Sequence, residues 1–219
     1  MKTAIIIGAT GLVGNHLVHL LLHDDRFSKL LVFVRRSVGI QHVKLEEHII
    51  NFDKPAEWMQ LVKGDVLFSA LGTTIKQAGG KHQQYKIDYT YQYEFAQAAA
   101  QNQVPSYVLI SSASANPNSS IFYTRMKGEL ERDVKTLPFK SITIIQPGLL
   151  HGDRQEERFA EQMAYKVLNV VNAIGLFKQY RPIAGKTVAM AMRNAGLRSV
   201  PGVHTHTLSQ VFELAQGYQ

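Results

Sequence analysis

The chain has 219 residues, enough for one domain with a core of its own and no need of a disulfide or metal to hold it. It has no cysteine, which excludes disulfides, thiolate metal sites and cysteine nucleophiles and fits a reducing compartment. With 45% hydrophobic and 19% charged residues and a net charge of +7, it reads as globular with a mildly basic surface; its longest uninterrupted basic run is Arg35-Arg36, too short for a nucleic-acid stripe.

The apolar run Ala4-Ile5-Ile6-Ile7 stops at Gly8, and Thr10, Asn15, His16 and His19 interrupt the residues after it. It is therefore a strand rather than a signal segment. No stretch reaches the roughly 18–20 apolar residues that span a bilayer, so no membrane contact is expected and the location read from the sequence is cytoplasmic.

Thr3 to Ile7 predicts a first buried strand, short and β-branched. A helix comes next, from about Leu12 to Leu22, with Val13, Leu17, Leu20 and Leu21 on one face. Leu30 to Val34 predicts a second strand, and His48-Ile49-Ile50 a weaker third. Pro55 to Val62 reads as a short helix with proline near its start. Val66-Leu67-Phe68 is the fourth strand, and Gly72 to His82 a loop rich in Gly, Thr, Lys and Gln. A long helix is predicted from about Gln84 to Gln101. Tyr107–Ile110 is a fifth strand, Phe122–Val134 a helix and Ile142–Ile145 a sixth strand. Helices are predicted over about Glu156–Val171 and Gly185–Asn194, then a short strand Val203–Thr207 and a terminal helix to Ala215.

Strands alternating with helices imply an α/β fold, a doubly wound parallel sheet of the Rossmann type. No repeat or linker divides the chain. It is read as a single NAD(P)-binding domain over 1–219, with a small C-terminal region after about residue 148 supplying the substrate side.

Gly8-Ala9-Thr10-Gly11-Leu12-Val13-Gly14 joins the first strand to the first helix. Glycines here let the backbone turn and approach a pyrophosphate, and the helix N-terminus offers N–H donors. The spacing alone is common, and a tight turn without a ligand is the competing reading. Its place after a buried strand and before a helix is what gives it weight. The second strand ends in Val34-Arg35-Arg36, where an acidic residue would accept the ribose hydroxyl of NAD. A guanidinium instead suits the 2′-phosphate of NADP(H), which makes NADP(H) the expected cofactor; the alternative is a pair of surface arginines.

Ser111-Ser112-Ala113-Ser114 comes after the fifth strand, at the end where ligands of open α/β sheets bind. Tyr123 and Lys127 open the next helix at i, i+4 and share a face. The Lys127 ammonium would favour the Tyr123 phenolate. Tyr123 could then exchange a proton with a carbonyl or alcohol oxygen while Ser112, or less favourably Ser111, holds that oxygen. Alternatives are cofactor binding without turnover and a chance spacing.

Together these residues resemble the short-chain dehydrogenase/reductase superfamily, and more narrowly its atypical branch containing the human HIV Tat-interacting oxidoreductase-like protein. The segments that carry the resemblance are GATGLVG, VRR, ALGTTIKQAGG, SSASANPNSSIFYTRMKGELE, QPGLLHGDRQEER and YRPI, spread over nearly the whole chain. The resemblance implies cofactor contacts at Thr10, Gly11, Leu12 and Val13. It places the 2′-phosphate on Arg35 and Arg36, the cofactor backbone over Leu71 and Gly72, and further contacts at Leu150 and Arg158. It makes Tyr123 the proton donor and Lys127 its partner. It further implies regulatory protein interactions in some members, and a protein partner or homodimer stays open here. One departure stands out. Typical members complete a proton relay with an Asn after the fourth strand, whereas this chain has Asp88 in that region and no Asn between Asn51 and Asn102.

Other polar groups carry blander readings. His16, His19 and His23 share a helical face but read as solvent-facing, and no metal site is expected. His204 and His206 read as a polar strand edge, and Glu129, Glu131 and Asp133 as solvated helix charges. Arg154 and Arg181 could meet an acidic substrate. The resulting expectation is an NADPH-dependent oxidoreductase acting on a small carbonyl or alcohol. The alternative is an NADPH-binding regulatory module with little turnover; 219 residues leave little room for a nucleotide-sugar enzyme's substrate domain.

Overall fold

Strand β1 (Lys2–Ile7) lies between β2 (Phe27–Val34) and β4 (Val66–Ser69), parallel to both. Covered on both faces, its residues Ala4 to Ile7 are wholly buried, which is why they form a continuous apolar run instead of an alternating one. In this computed structural model, residues 1–151 and 182–217 are described. The predicted helix over Glu156–Val171, together with Arg154, Arg158 and Arg181, lies outside the described residues.

Seven parallel strands form the main sheet in the order β3-β2-β1-β4-β5-β6-β9, where β3 is Leu45–Ile49, β5 Ser106–Ile110, β6 Ser141–Gln146 and β9 Gly202–Thr207. The first six follow the 3-2-1-4-5-6 order of dinucleotide-binding folds, and β9 extends the sheet beyond β6. The direction of winding reverses between β1 and β4, and the crevice at their carboxyl ends is where such folds bind ligands. A separate two-stranded parallel pair joins β7 (Leu150–His151) to β8 (Ile183–Ala184).

Helices cover both faces. On one side α1 (Leu12–Leu22), α7 (Gly185–Arg198) and α8 (Ser209–Gln216) form a core with Leu17, Leu21, Phe68, Met192 and Leu214. On the other, α2 (Pro55–Trp58), α5 (Tyr91–Gln101) and α6 (Phe122–Val134) enclose Phe33, Trp58, Phe95 and Leu130. Trp58 stacks on Phe95 with ring centres 4.3 Å apart. No helix among the described residues is long and apolar enough to cross a membrane.

The differences from the sequence reading have local causes. β3 begins at Leu45, ahead of the expected His48, because an edge strand tolerates charges that interrupt an apolar run. Its Glu46 pairs with Lys29 at 2.6 Å and with His48 at 2.9 Å. The expected helix Pro55–Val62 tightens after Trp58 into a 3₁₀ turn, Met59–Leu61. The expected loop Gly72–His82 contains α3 (Ile75–Ala78), opened by the Thr74 hydroxyl accepting the Gln77 N–H and closed by Gly79 at φ +86°. The next helix starts at Lys81 as α4 (Lys81–Tyr85). It passes through one wide π turn, Lys86–Thr90, before continuing as α5.

Glu129, Glu131 and Asp133 are not the solvated charges expected. Tyrosines of α4 and the π turn meet Glu129 and Asp133, and β6 meets Glu131. Glu129 accepts from Tyr85 and Asp133 from Tyr89, and the buried Glu131 accepts both of its hydrogen bonds from the Gln146 amide. His204 and His206 share one face of edge strand β9, half-buried.

Candidate functional site

The turn after β1 is shaped by its own packing. Gly8 sits at φ +83°, and a β-carbon there would collide with the backbone of Ala70 and Leu71. A β-carbon on Gly14 would collide with the Gly8 carbonyl oxygen. Gly11 differs: it is exposed, and an added β-carbon would stand 3.4 Å from its nearest neighbour, an ordinary contact. Packing therefore explains Gly8 and Gly14 but not Gly11.

Gly11 is also the residue that caps α1, and no side chain caps the helix there. The first turn holds no acidic residue, so the N–H groups of Leu12, Val13 and Gly14 form an electropositive end open to an anion. The Val13 side chain lies in the core and the Leu12 side chain lies against Gly185, which leaves their backbone N–H groups as the parts facing the turn.

A pocket of about 350 Å³ opens beside this turn. Gly8, Ala9, Thr10, Arg35, Arg36 and Leu71 line it, and Phe33, Val34 and Phe52 form its apolar side. Five of the residues singled out from the sequence thus come together: Gly8, Thr10, Arg35, Arg36 and Leu71. Both arginines are exposed at the end of β2 and have no ion pair among the described residues. The apolar rings were missed, since Phe52 belongs to the turn after β3 and nothing in its local pattern sets it apart from other core aromatics. Gly72 is exposed beside Leu71, with open space where a β-carbon would go. Leu150 begins β7 and packs against the α1 side of the core.

The second cluster gathers at the ends of β4 and β5. Ser111 is buried and its hydroxyl has no partner among the described residues, while Ser112 is half-buried with its hydroxyl 3.2 Å from that of Ser114. Tyr123 is half-buried in the first turn of α6, and Lys127 is buried one turn on. Gly128 lets the Asn116–Pro117 backbone lie against α6 beside it, where any β-carbon would clash.

The partner of Lys127 is Asp88. Its carboxylate Oδ2 lies 3.9 Å from Lys127 Nζ, and both residues are almost fully buried. Oδ1 accepts the Thr73 N–H at 2.8 Å, and the Gln84 amide donates to the Thr73 carbonyl at 2.8 Å. The π turn aims Asp88 inward and frees its carbonyl, which accepts from Gln92 Nε2 at 2.6 Å. Gln92 in turn accepts the Ser69 hydroxyl at 2.6 Å. Burial pushes the Asp88 carboxyl up to about 6, against the opposing pull of Lys127, the Thr73 N–H and Gln84.

The arrangement sets an anion-binding helix end beside a cationic and apolar pocket; Lys127 is tied through Asp88 to the turn after β4, and Ser111 and Ser112 follow β5. It fits an extended ligand with anionic groups in its middle and at one end. The uncapped helix and the open approach at Gly11 suit a pyrophosphate, and Arg35 and Arg36 set two guanidinium groups beside the pocket.

Comparison with known proteins agrees with this architecture. The HIM1 family profile matches residues 28–181. The mitochondrial protein fmp52 of Aspergillus fumigatus is 35% identical over 211 residues, covering 92% of this chain and 90% of that protein. The mitochondrial FMP52 of Saccharomyces cerevisiae is 39% identical over 158 residues, covering 70% of this chain and 68% of the relative. These names overturn the cytoplasmic location read from the sequence. A cysteine-free composition fits any reducing interior and carries no address of its own. Among solved structures, MoeE5 in complex with UDP-glucose and NAD superposes with a TM-score of 0.72 at 14% identity, covering 97% of this chain and 80% of the other. The oxidoreductase ylbE from Lactococcus lactis superposes with a TM-score of 0.69 at 19% identity, covering 98% and 95%. At these identities the likeness is one of fold.

Proposed function

The chain belongs to the HIM1 family, and we propose that it is an NADP(H)-dependent oxidoreductase of the atypical short-chain dehydrogenase/reductase type, acting on a small carbonyl or alcohol. Kinship with the branch of the HIV Tat-interacting oxidoreductase-like protein is part of this reading. The observation that carries it is the pocket beside the glycine turn, lined by Arg35 and Arg36 where an NAD-selective site would present a carboxylate. MoeE5, solved with NAD, and ylbE, described as an oxidoreductase, lend support from the same fold.

In this reading Gly8 and Gly14 shape the turn, and Thr10, Gly11 and the N–H groups of Leu12 and Val13 hold the pyrophosphate. Arg35 and Arg36 hold the 2′-phosphate, Phe33 and Phe52 wall the adenine, and Leu71 and Gly72 border the cofactor backbone. Leu150 and Arg158 add further cofactor contacts after the sixth strand. When bound, the cofactor supplies or accepts a hydride at its nicotinamide ring. Tyr123 transfers the proton at the substrate oxygen, Ser112 hydrogen-bonds that oxygen, and Lys127 binds the nicotinamide ribose. Residues after about 148 supply the substrate side. The test is a titration of the purified protein with NADPH and NADH, expected to show tighter binding of NADPH.

A second reading keeps the cofactor and drops the turnover. It is favoured by the region after the fourth strand, where typical members carry the Asn of a proton relay and this chain has Asp88 and no Asn between Asn51 and Asn102. On that reading the protein is an NADPH-binding regulatory module, and Tyr123 and Lys127 serve as ligands only.

A further inference from the structure

Asp88 is held more elaborately than a structural carboxylate requires. Residues from four elements converge on it: Thr73 from the turn after β4, Gln84 from α4, Gln92 from α5 and Lys127 from α6. The π turn exists at this point and nowhere else among the described residues. Such a turn inserts one extra residue into a helix and often marks a functional site. Asp88 is its central residue and presents its carboxylate to Lys127.

We propose that Asp88 is the positioning residue of the cofactor site: it fixes the Lys127 ammonium toward the nicotinamide ribose and, through the Thr73 N–H, locks the Leu71–Thr73 turn along which the cofactor lies. One carboxylate thereby couples the seat of the cofactor to the residue that grips its reactive half. The inference rests on the cofactor reading above and holds whether or not the bound cofactor turns over.

The electrostatic surroundings are simple. Among the described residues, the cation facing Asp88 is Lys127 from α6. The turn after β4, α4 and α5 bring only neutral groups, namely the Thr73 N–H and the Gln84 and Gln92 amides. On its own turn, Lys86 faces away to Asp53 at 2.6 Å. Ionised, Asp88 balances a buried ammonium; protonated, it leaves that ammonium without a counter-ion and gives the Thr73 N–H a weaker acceptor. The seat is therefore formed above the Asp88 transition and loosened below it.

The experiment measures dissociation constants from pH 5 to pH 8 for wild type and Asp88→Asn. NADH is the dinucleotide probe, because it lacks the 2′-phosphate that itself titrates in this range, and ADP is the probe for the adenosine half alone. Wild type is expected to lose NADH affinity through a single-proton transition as pH falls through about 6. Asp88→Asn should bind NADH about tenfold or more weakly at pH 8, as expected for one charge-assisted contact, with no such transition. ADP affinity should fall far less than NADH affinity, because ADP meets Leu71 but not Lys127; equal losses for the two ligands would mark a general structural defect. Independently of any variant, the Thr73 amide resonance of the ligand-free wild type should titrate with the same midpoint as NADH binding. Equal NADH affinity and equal pH dependence in both proteins, or a Thr73 amide that does not titrate, overturns the inference while leaving the cofactor reading standing. A wild type that binds neither NADH nor NADPH overturns both.

Discussion

A β-carbon placed on Gly14 would run into the carbonyl oxygen of Gly8, whereas one placed on Gly11 meets only ordinary contacts. The three glycines of one motif thus divide into two that close the turn on itself and one that faces outward. Gly14→Ala should destabilise the fold, by about 1–3 kcal/mol if the turn yields as overpacked cores do, seen as a lower Tm and denaturant midpoint. Gly11→Val should keep a near-native Tm yet weaken NADPH and NADH together, since both share the pyrophosphate. Wild-type affinity in a folded Gly11→Val protein would place the cofactor elsewhere.

Arg35 and Arg36 line the pocket with no ion pair among the described residues, so replacing them strands no carboxylate among those residues. Arg35→Ala/Arg36→Ala should erase the preference for NADPH and leave NADH binding nearly intact. Hydrogen bonds to a charged group contribute about 1.5–3 kcal/mol, so NADPH should lose about 10- to 100-fold in affinity. Thermal shift gives a second readout. Wild type with NADPH at 100 times its Kd gains about 2.7 kcal/mol, and the double variant at the same concentration should gain far less. Equal shifts by NADH and NADPH in the wild type would remove the basis for NADP selectivity.

Asp88 also predicts how stability changes with pH. Burial raises its carboxyl from the ordinary 3.8 to about 6, so its contribution favours the fold below the unfolded pKa and is lost as pH climbs through about 6. A shift of that size corresponds to at most about 3 kcal/mol. Asp24, Glu46, Asp53 and Asp133 are lowered by their cationic partners and run the other way, losing their contribution as pH falls through the carboxylate range. The comparison with Asp88→Asn cancels those four. Stability of wild type minus variant, from urea midpoints, should fall between about pH 4 and pH 6 and then level off. A flat difference over that interval would mean that Asp88 does not titrate there.

The sheet and the glycine turn were legible because their signals are local. Four consecutive buried apolar residues followed by glycine can hardly be other than β1 and its turn, and Arg35-Arg36 gains meaning from its place at the end of the next strand. The features that stayed hidden depend on distant packing. Glu131 looks like a solvated charge until β6 delivers Gln146 to it, and Phe52 looks like any core aromatic until the turn after β3 brings it to the pocket wall. Asp88 stood out from the sequence only as the absence of an Asn. Its tie to Lys127 is made from within the π turn, which no propensity announces. Location was lost for another reason, since composition reports redox environment and not address.

Turnover is the question that separates the two functional readings, and Tyr123 is where it can be asked. The side chain is half-buried at the start of α6, so Tyr123→Phe keeps the ring and removes only the hydroxyl. NADPH affinity should change little. Hydride transfer to any carbonyl substrate should fall about 100- to 10,000-fold, the usual contribution of a general acid. Lys127→Ala should behave differently, because it deletes a cofactor contact and leaves the buried Asp88 carboxylate without its cation, so it should weaken NADPH binding as well as rate. Single-turnover oxidation of bound NADPH, followed by its absorbance, reads the chemical step apart from product release. Wild-type rates in Tyr123→Phe would assign the proton to another group, with the buried Ser111 hydroxyl the next to replace. If the wild type oxidises NADPH with no member of a broad carbonyl panel while still binding it tightly, the pocket is a sensor of the reduced cofactor. Tyr123 and Lys127 are then part of its grip, and Tyr123→Phe should lower affinity instead of rate.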